Sequence, residues 1–277
     1  MTKFDQVFRD AIAKIMFEGD DVFSERTDIT TRAVPGLTYD LYPSQGFPIL
    51  TLRRIPVQLF VCEVIWMITG DKNISFMQQF TKVWDDFAED DNTMTTAYGH
   101  RWRHHFGRDQ LLDLIEHLRV EPTSRQGVVM MWDPADDGLT APKKKNVPCP
   151  FTFTANIIAE KLNLHLVIRS NDMMLGNPHD TAGFALLQAM LAQELGVGVG
   201  KLTISISHAH IYGNHYEQAQ TMLERMPHMH DEIMLELPER SFQRALQKDA
   251  DLVHEITAMF KDQYSPMKAL KKMKISL

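Results

Sequence analysis

Apolar residues recur at helical spacing at Phe4, Val7, Phe8, Ile12 and Ile15, which predicts an amphipathic helix over residues 3–18. Residues 58–69 are apolar on nearly every side and stop at Gly70-Asp71, which predicts a buried helix. Two more helices are expected over 74–87 and 109–119, the second ending before Pro122. Residues 127–132 read as a buried strand, and 151–158 and 162–169 as a strand pair turning near Glu160-Lys161. Residues 184–195 form a long apolar helix closed by Gly196. Residues 202–210 alternate apolar and polar, the pattern of a strand with one polar face. Helix is expected at 216–225 and through most of 241–260, and a strand within 232–239. The Thr-, Gly-, Pro- and Ser-rich stretch 24–46 predicts loop with short strands, and 136–148 a polar loop. Strands and helices mix without strict alternation. The expected class is α+β, one domain over residues 1–277 around a mixed sheet.

Composition narrows the function. The net charge of −7 argues against a general nucleic-acid binder while leaving room for a local basic pocket. Two cysteines, Cys62 and Cys149, with no CxxC, exclude a disulfide framework. No 18-residue apolar run is present, and the first helix lacks the core of a signal peptide, so a cytoplasmic protein without membrane contact is expected.

Cys149 stands between Pro148 and Pro150, after a lysine-rich loop and just before a strand. A strand-edge thiol near cations can be a nucleophile; the competing reading is a small core residue, which is assigned to Cys62. Arg26, Arg32, Arg125 and Arg169 fall in polar loops or at a strand end. Arg125 follows Pro-Thr-Ser, a setting that could grip a phosphate; for each arginine taken alone a surface ion pair is the favoured reading. His208, His210, Tyr212 and His215 invite a metal, but no carboxylate adjoins them. Hydrogen bonding to a polar ligand is the expected role, and no metal is expected.

Four stretches carry a resemblance to thymidylate synthase. They are EVIWMITGDKN from Glu63, VWDDFA and YGHRW within 83–102, Pro148-Cys149, and RSNDMMLGNPHDTA from Arg169 followed by HAHIYGNH from His208. Their order and spacing hold from about residue 3 to 220. The resemblance implies a thymidylate-synthase-like fold, a sheet-to-sheet homodimer and a pyrimidine nucleotide as substrate. It implies 5,10-methylenetetrahydrofolate as co-substrate and a covalent bond from Cys149 to C6 of the base. It implies a buried proton-managing Glu63 and a Tyr98 that assists proton removal at C5. Arg26, Arg169 and Ser170 would hold the phosphate, with Arg125 coming from the partner subunit. Asp172 would meet the ring through its backbone, His210 and Tyr212 the sugar, and Trp84, Asp85, Phe87 and Gly176 the folate side.

The departures bear on the substrate. The synthases end their Gly-x-Pro-Phe segment in an asparagine that reads uracil; here Gly176-Asn177-Pro178-His179 leads to Asp180. A carboxyl group suits the N3–N4 edge of cytosine, and with the RSND string it resembles phage deoxycytidylate hydroxymethylases. Pro150 stands where the synthases have histidine, Gln126 where they have a second phosphate arginine, and Phe87 where a tryptophan is usual. The expected reaction is hydroxymethylation of dCMP. Methylation of dCMP, methylation of dUMP and an idle nucleotide- or RNA-binding homologue remain as alternatives.

Overall fold

The computed structural model describes residues 1–25, 28–141, 146–226 and 232–274. Helix α1 spans Lys3–Glu18, and Thr2 and Asp5 close a reciprocal capping box at its start. Asp5 is fully buried and also accepts from the backbone of Thr51 at 2.7 Å, tying α1 to the segment before the central helix. That helix, α2 (Val57–Thr69), buries Leu59 through Trp66 and Ile68, and Gly70 ends it in the left-handed conformation at φ 73°.

The strands form one mixed sheet. In chain order they are β1 (Asp20–Ser24), β2 (Ile29–Leu41), β3 (Val128–Met130), β4 (Pro150–Ile158), β5 (Lys161–Ile168), β6 (Asn171–Asp172) and β7 (Gly198–Tyr212). Their spatial order is β1-β2-β7-β5-β4-β3, with β6 beside β7. Pairings are antiparallel except β5–β7 and β6–β7. A parallel β5–β7 pair needs a crossover, and α6 (Gly176–Leu195) supplies it while packing against α2. Among the described residues the remaining α-helices are α3 (Ser75–Gln78), α4 (Tyr98–His100), α5 (Gln110–Val120), α7 (Tyr216–Glu224), α8 (Ser241–Leu246) and α9 (Ala250–Lys261). The architecture is α+β, as the residue pattern predicts. Among the described residues, no helix is long and apolar enough to cross a membrane.

Several elements differ from expectation. Residues 24–46 hold a 13-residue strand, β2, not short strands in a loop. Pro35-Gly36 hides it in the sequence, yet Gly36 takes φ 64° and pairing with β7 resumes on both sides. The helix expected over 74–87 shrinks to α3, and the chain then runs through turns that turn Trp84 inward. The 232–239 segment is not a strand: its backbone bonds run to Phe47 and to the Gln263 side chain, without a ladder. Residues 241–260 split at Lys248, φ 55°, where Asp249 caps α9. The β4–β5 turn falls at Ala159-Glu160, both at positive φ. Helix α6 begins eight residues earlier than its apolar pattern, because Pro178 is tolerated in a first helical turn.

A buried ion cluster anchors the loop after β3 to the turn that carries Tyr98. Arg101 is fully buried, pairs with the equally buried Asp137 at 2.9 Å, and lies 2.7 Å from His105, which pairs with Asp133 at 2.6 Å. Arg101→Met strands the Asp137 charge and should cost about 3–5 kcal/mol of stability in urea unfolding. The double variant with Asp137→Asn should recover most of that loss.

Candidate active site

Cys149 owes its position to two prolines and a bulge. Pro150 has no N–H to give to a ladder, so it sits at the first position of β4, and the register shifts between Pro150 and Thr152. The half-buried thiol is thereby held at the sheet end, with its carbonyl accepting from the Arg169 N–H at 2.9 Å. The Arg169 side chain turns back over it. Nε donates to the Pro148 carbonyl at 2.8 Å, Nη2 to the Val147 carbonyl at 3.1 Å, and Nη2 lies 3.9 Å from the Cys149 sulfur. The guanidinium also rests on the Trp132 ring at 5.6 Å. A fixed positive charge at this distance stabilises negative charge on sulfur.

Tyr98 adjoins the thiol, Asp180 adjoins Tyr98, and Glu63 adjoins Asp180, so three ionisable groups from three elements form a chain leading away from Cys149. Tyr98 of α4 is held well above the usual phenol range by burial, then by the charges of Cys149 and Asp180. Burial pushes the Glu63 carboxyl on α2 up to about 8; the Trp84 indole N–H, which donates to it, partly offsets this, and Asp180 adds to the rise. Burial likewise raises Asp180 on α6 to about 7, against a 2.8 Å hydrogen bond donated by Asn171. Both carboxyls can therefore exchange protons near neutral pH, which general acid–base chemistry requires. Glu63, Asp180, His179, Trp102 and Phe184 line a cavity of about 20 Å³, room for one water molecule.

Most of the residues expected to meet the nucleotide and the folate lie on neighbouring elements. Asp172 of β6 spends its carboxylate on the turn into α6, accepting from Met174 N at 2.9 Å and Leu175 N at 3.2 Å. Its backbone is what remains for a ligand. His210 and Tyr212 are buried at the end of β7, their rings 5.0 Å apart edge to face, and the Met173 N–H donates to the His210 carbonyl at 2.9 Å. His208 lies alongside, Nδ1 to Nδ1 3.4 Å. Ser170 is half-buried after Arg169. Gly176 opens α6; a Cβ there would meet Asn171 Nδ2 and Asp180 Oδ2 at 3.5 and 3.7 Å, ordinary contact. Trp84 and Phe87 form a tilted aromatic pair 5.1 Å apart, while Asp85 is exposed and accepts from Gln78.

Arg125 is not brought into this group. It lies on the exposed loop between α5 and β3 beside Glu121 and Gln126, and the Ser124 hydroxyl preceding it is engaged by His117 at 2.6 Å. Arg26 falls outside the described residues.

The chain thus places a thiol beside an arginine and a partly buried tyrosine, with a buried glutamic acid further in. The thymidylate synthase family model covers residues 6–271. The chain belongs to the thymidylate synthase family. Membership makes it a transferase of the class that adds a one-carbon unit from folate to C5 of a pyrimidine nucleotide.

Sequence reasoning passed over four residues of the site. His179 is pressed down to about 3 by burial, then by Arg53, and its Nδ1 has no hydrogen-bond partner among the described residues. Arg53, itself buried, donates to the Met174 carbonyl at 2.5 Å and so holds the turn before α6. Asn171 and Asn177 sit inside the very motif that pointed to Asp180, and polar residues at positions that fold inward were the available signal.

Proposed function

We propose that the protein hydroxymethylates C5 of a cytidine nucleotide, dCMP by preference, with 5,10-methylenetetrahydrofolate as the one-carbon donor. The observation that carries the reading is Asp180, a partly buried carboxyl raised to about 7 by desolvation and held by Asn171, where uracil-reading relatives have an amide. Cytosine presents an N4 amino donor and an N3 acceptor. A carboxylic acid accepts from the first and donates to the second, pairing the whole edge.

In this reading the Cys149 thiolate attacks C6, and the electron pair displaced from the C5–C6 bond makes C5 a nucleophile. C5 bonds to the methylene carbon of the folate. Tyr98 takes part in removing the C5 proton, and tetrahydrofolate departs, leaving an exocyclic methylene on the ring. Water adds to that carbon, and expulsion of Cys149 restores the C5–C6 double bond. No external oxidant or reductant is needed. Glu63 manages the protons, and a water in the cavity it shares with His179 and Asp180 would have the access that capture by water requires. Arg26, Arg169 and Ser170 bind the phosphate, His210 and Tyr212 the sugar, Asp172 the ring through its backbone. Trp84, Asp85, Phe87 and Gly176 face the folate.

The exposed position of Arg125 supports a homodimer, since a two-fold partner is what would carry this side chain to a phosphate. The half-polar face of the sheet, with Thr154, Asn156, Asn163, His165 and Thr203 around a broad hollow, suits such an interface. Sedimentation should give a dimer at micromolar concentration; a fully active monomer would contradict it. The reaction is placed in the cytoplasm.

The test is the mass of the nucleotide after incubation with methylenetetrahydrofolate. dCMP should gain CH2O. A gain of CH2 on dCMP makes the protein a methyltransferase, a gain of CH2 on dUMP alone makes it a thymidylate synthase, and no change on dCMP, CMP or dUMP leaves a binding homologue.

A further inference from the structure

Asp180 is held by a run of buried polar side chains reaching back to a distant strand. Asn171 Nδ2 donates to Asp180 Oδ2 at 2.8 Å. Asn171 Oδ1 accepts from Asn177 Nδ2, also at 2.8 Å. Asn177 Nδ2 lies 2.9 Å from the Tyr39 hydroxyl on β2, which lies 3.0 Å from the Thr181 hydroxyl. Asn177 and Thr181 are fully buried, and Asn171 nearly so.

An ionised carboxylate only accepts, so its neighbour must offer an N–H. Asn171 then has only its carbonyl left for Asn177, and Asn177 must in turn present its nitrogen. The directions of the bonds from Asp180 through Asn171 and Asn177 to the Tyr39 oxygen follow from the charge at one end. Such a network is expensive to bury, and apolar residues of similar volume would pack helix α6 against β2 without it.

We propose that Tyr39, Asn177 and Asn171 form a relay that keeps an N–H aimed at Asp180 Oδ2, so that Asp180 carries and releases its proton at Oδ1, toward the base. The inference rests on Asp180 as the base reader. Asn171 acts directly on the carboxyl; Asn177 and Tyr39 are positioning residues that act through it. The other titratable groups facing Asp180 are Glu63 from α2, Tyr98 from α4, Asp172 from β6 and Tyr39 from β2. The acidic ones oppose its ionisation, and the Asn171 hydrogen bond favours it. Burial drives the Tyr39 hydroxyl up to about 12, so it stays protonated and able to serve the relay.

The test uses Asn177→Leu, which keeps the number of side-chain heavy atoms, and Tyr39→Phe, which removes one oxygen. Carbon-13 labelling of aspartate carboxyls reports the titration of Asp180 in the ligand-free protein. Its midpoint should move to higher pH in Asn177→Leu and by a smaller step in Tyr39→Phe, as the hydrogen bond to Oδ2 loosens. At about pH 6, where Asp180 is mostly protonated in native protein and variant alike, the preference for dCMP over dUMP in kcat/KM should fall about tenfold in Asn177→Leu, the loss of about one hydrogen bond. A purely structural role predicts a lower melting temperature with neither change. An unmoved midpoint in both variants overturns the relay, even where Asp180→Asn still alters base preference. If Asp180→Asn leaves base preference unaltered, the base reading fails, while the carboxyl titration still judges the relay. Should Asn177→Leu not fold, the Tyr39→Phe midpoint decides.

Discussion

Cys149→Ser should reduce turnover to the level of buffer alone and leave the fold intact. The thiol sits at the first residue before β4, outside the ladder, half-buried, with the Arg169 guanidinium 3.9 Å from sulfur. That neighbour can stabilise a thiolate. It cannot make an alkoxide from a serine hydroxyl, whose proton is far harder to remove and needs a dedicated base. Glu63, raised to about 8, and Asp180, raised to about 7, are each placed for other protons. The exchange of sulfur for oxygen at a half-exposed position should cost no more than about 1 kcal/mol. Turnover by mass spectrometry and unfolding by urea check both parts. Near-normal turnover in Cys149→Ser would remove the covalent route from the account.

What the sequence disclosed depended on whether a signal was local. The α1 and α2 helices and the β4–β5 pair are written in periodicity and turn residues, and they appear within a few positions of expectation. Strand β2 was obscured because Pro35-Gly36 is a local break that the long pairing with β7 overrides. The 74–87 segment has helical spacing, yet Trp84 is claimed by Glu63, a partner 21 residues earlier that no local pattern reveals. Within the site, the motif residues Cys149, Glu63, Tyr98, Arg169 and Asp180 converge. The run from Asp180 to Tyr39 was illegible because its bonds join residues up to 142 positions apart. Arg125 shows the remaining gap: the chain leaves it on an exposed loop, and only the homodimer proposed above would bring it to the site.

Asp180→Asn should turn base preference from cytosine toward uracil. In the native chain Asn171 donates to one oxygen of Asp180, and burial holds the carboxyl near half-protonation at pH 7. The protonated form pairs with both N3 and the N4 amino group of cytosine. Because the folded value is raised, that form is lost as pH climbs through about 7, so kcat/KM for dCMP should decline above that point. Cytosine N3 is basic and helps to keep the shared proton in the pair, whereas uracil O4 is not, so beside uracil the carboxyl ionises more readily, meets O4 without a donor and is left badly paired, at about 1–3 kcal/mol. An amide at this position would turn its oxygen to Asn171 and its N–H groups to the base. It then donates to O4 and accepts from N3–H. The change should lower the preference for dCMP roughly ten- to a hundredfold. The deciding measurement is the ratio of kcat/KM for dCMP and dUMP in the native protein and in Asp180→Asn. The account predicts a ratio well above one that collapses in the variant; a native preference for dUMP, or a ratio that does not move, would contradict it.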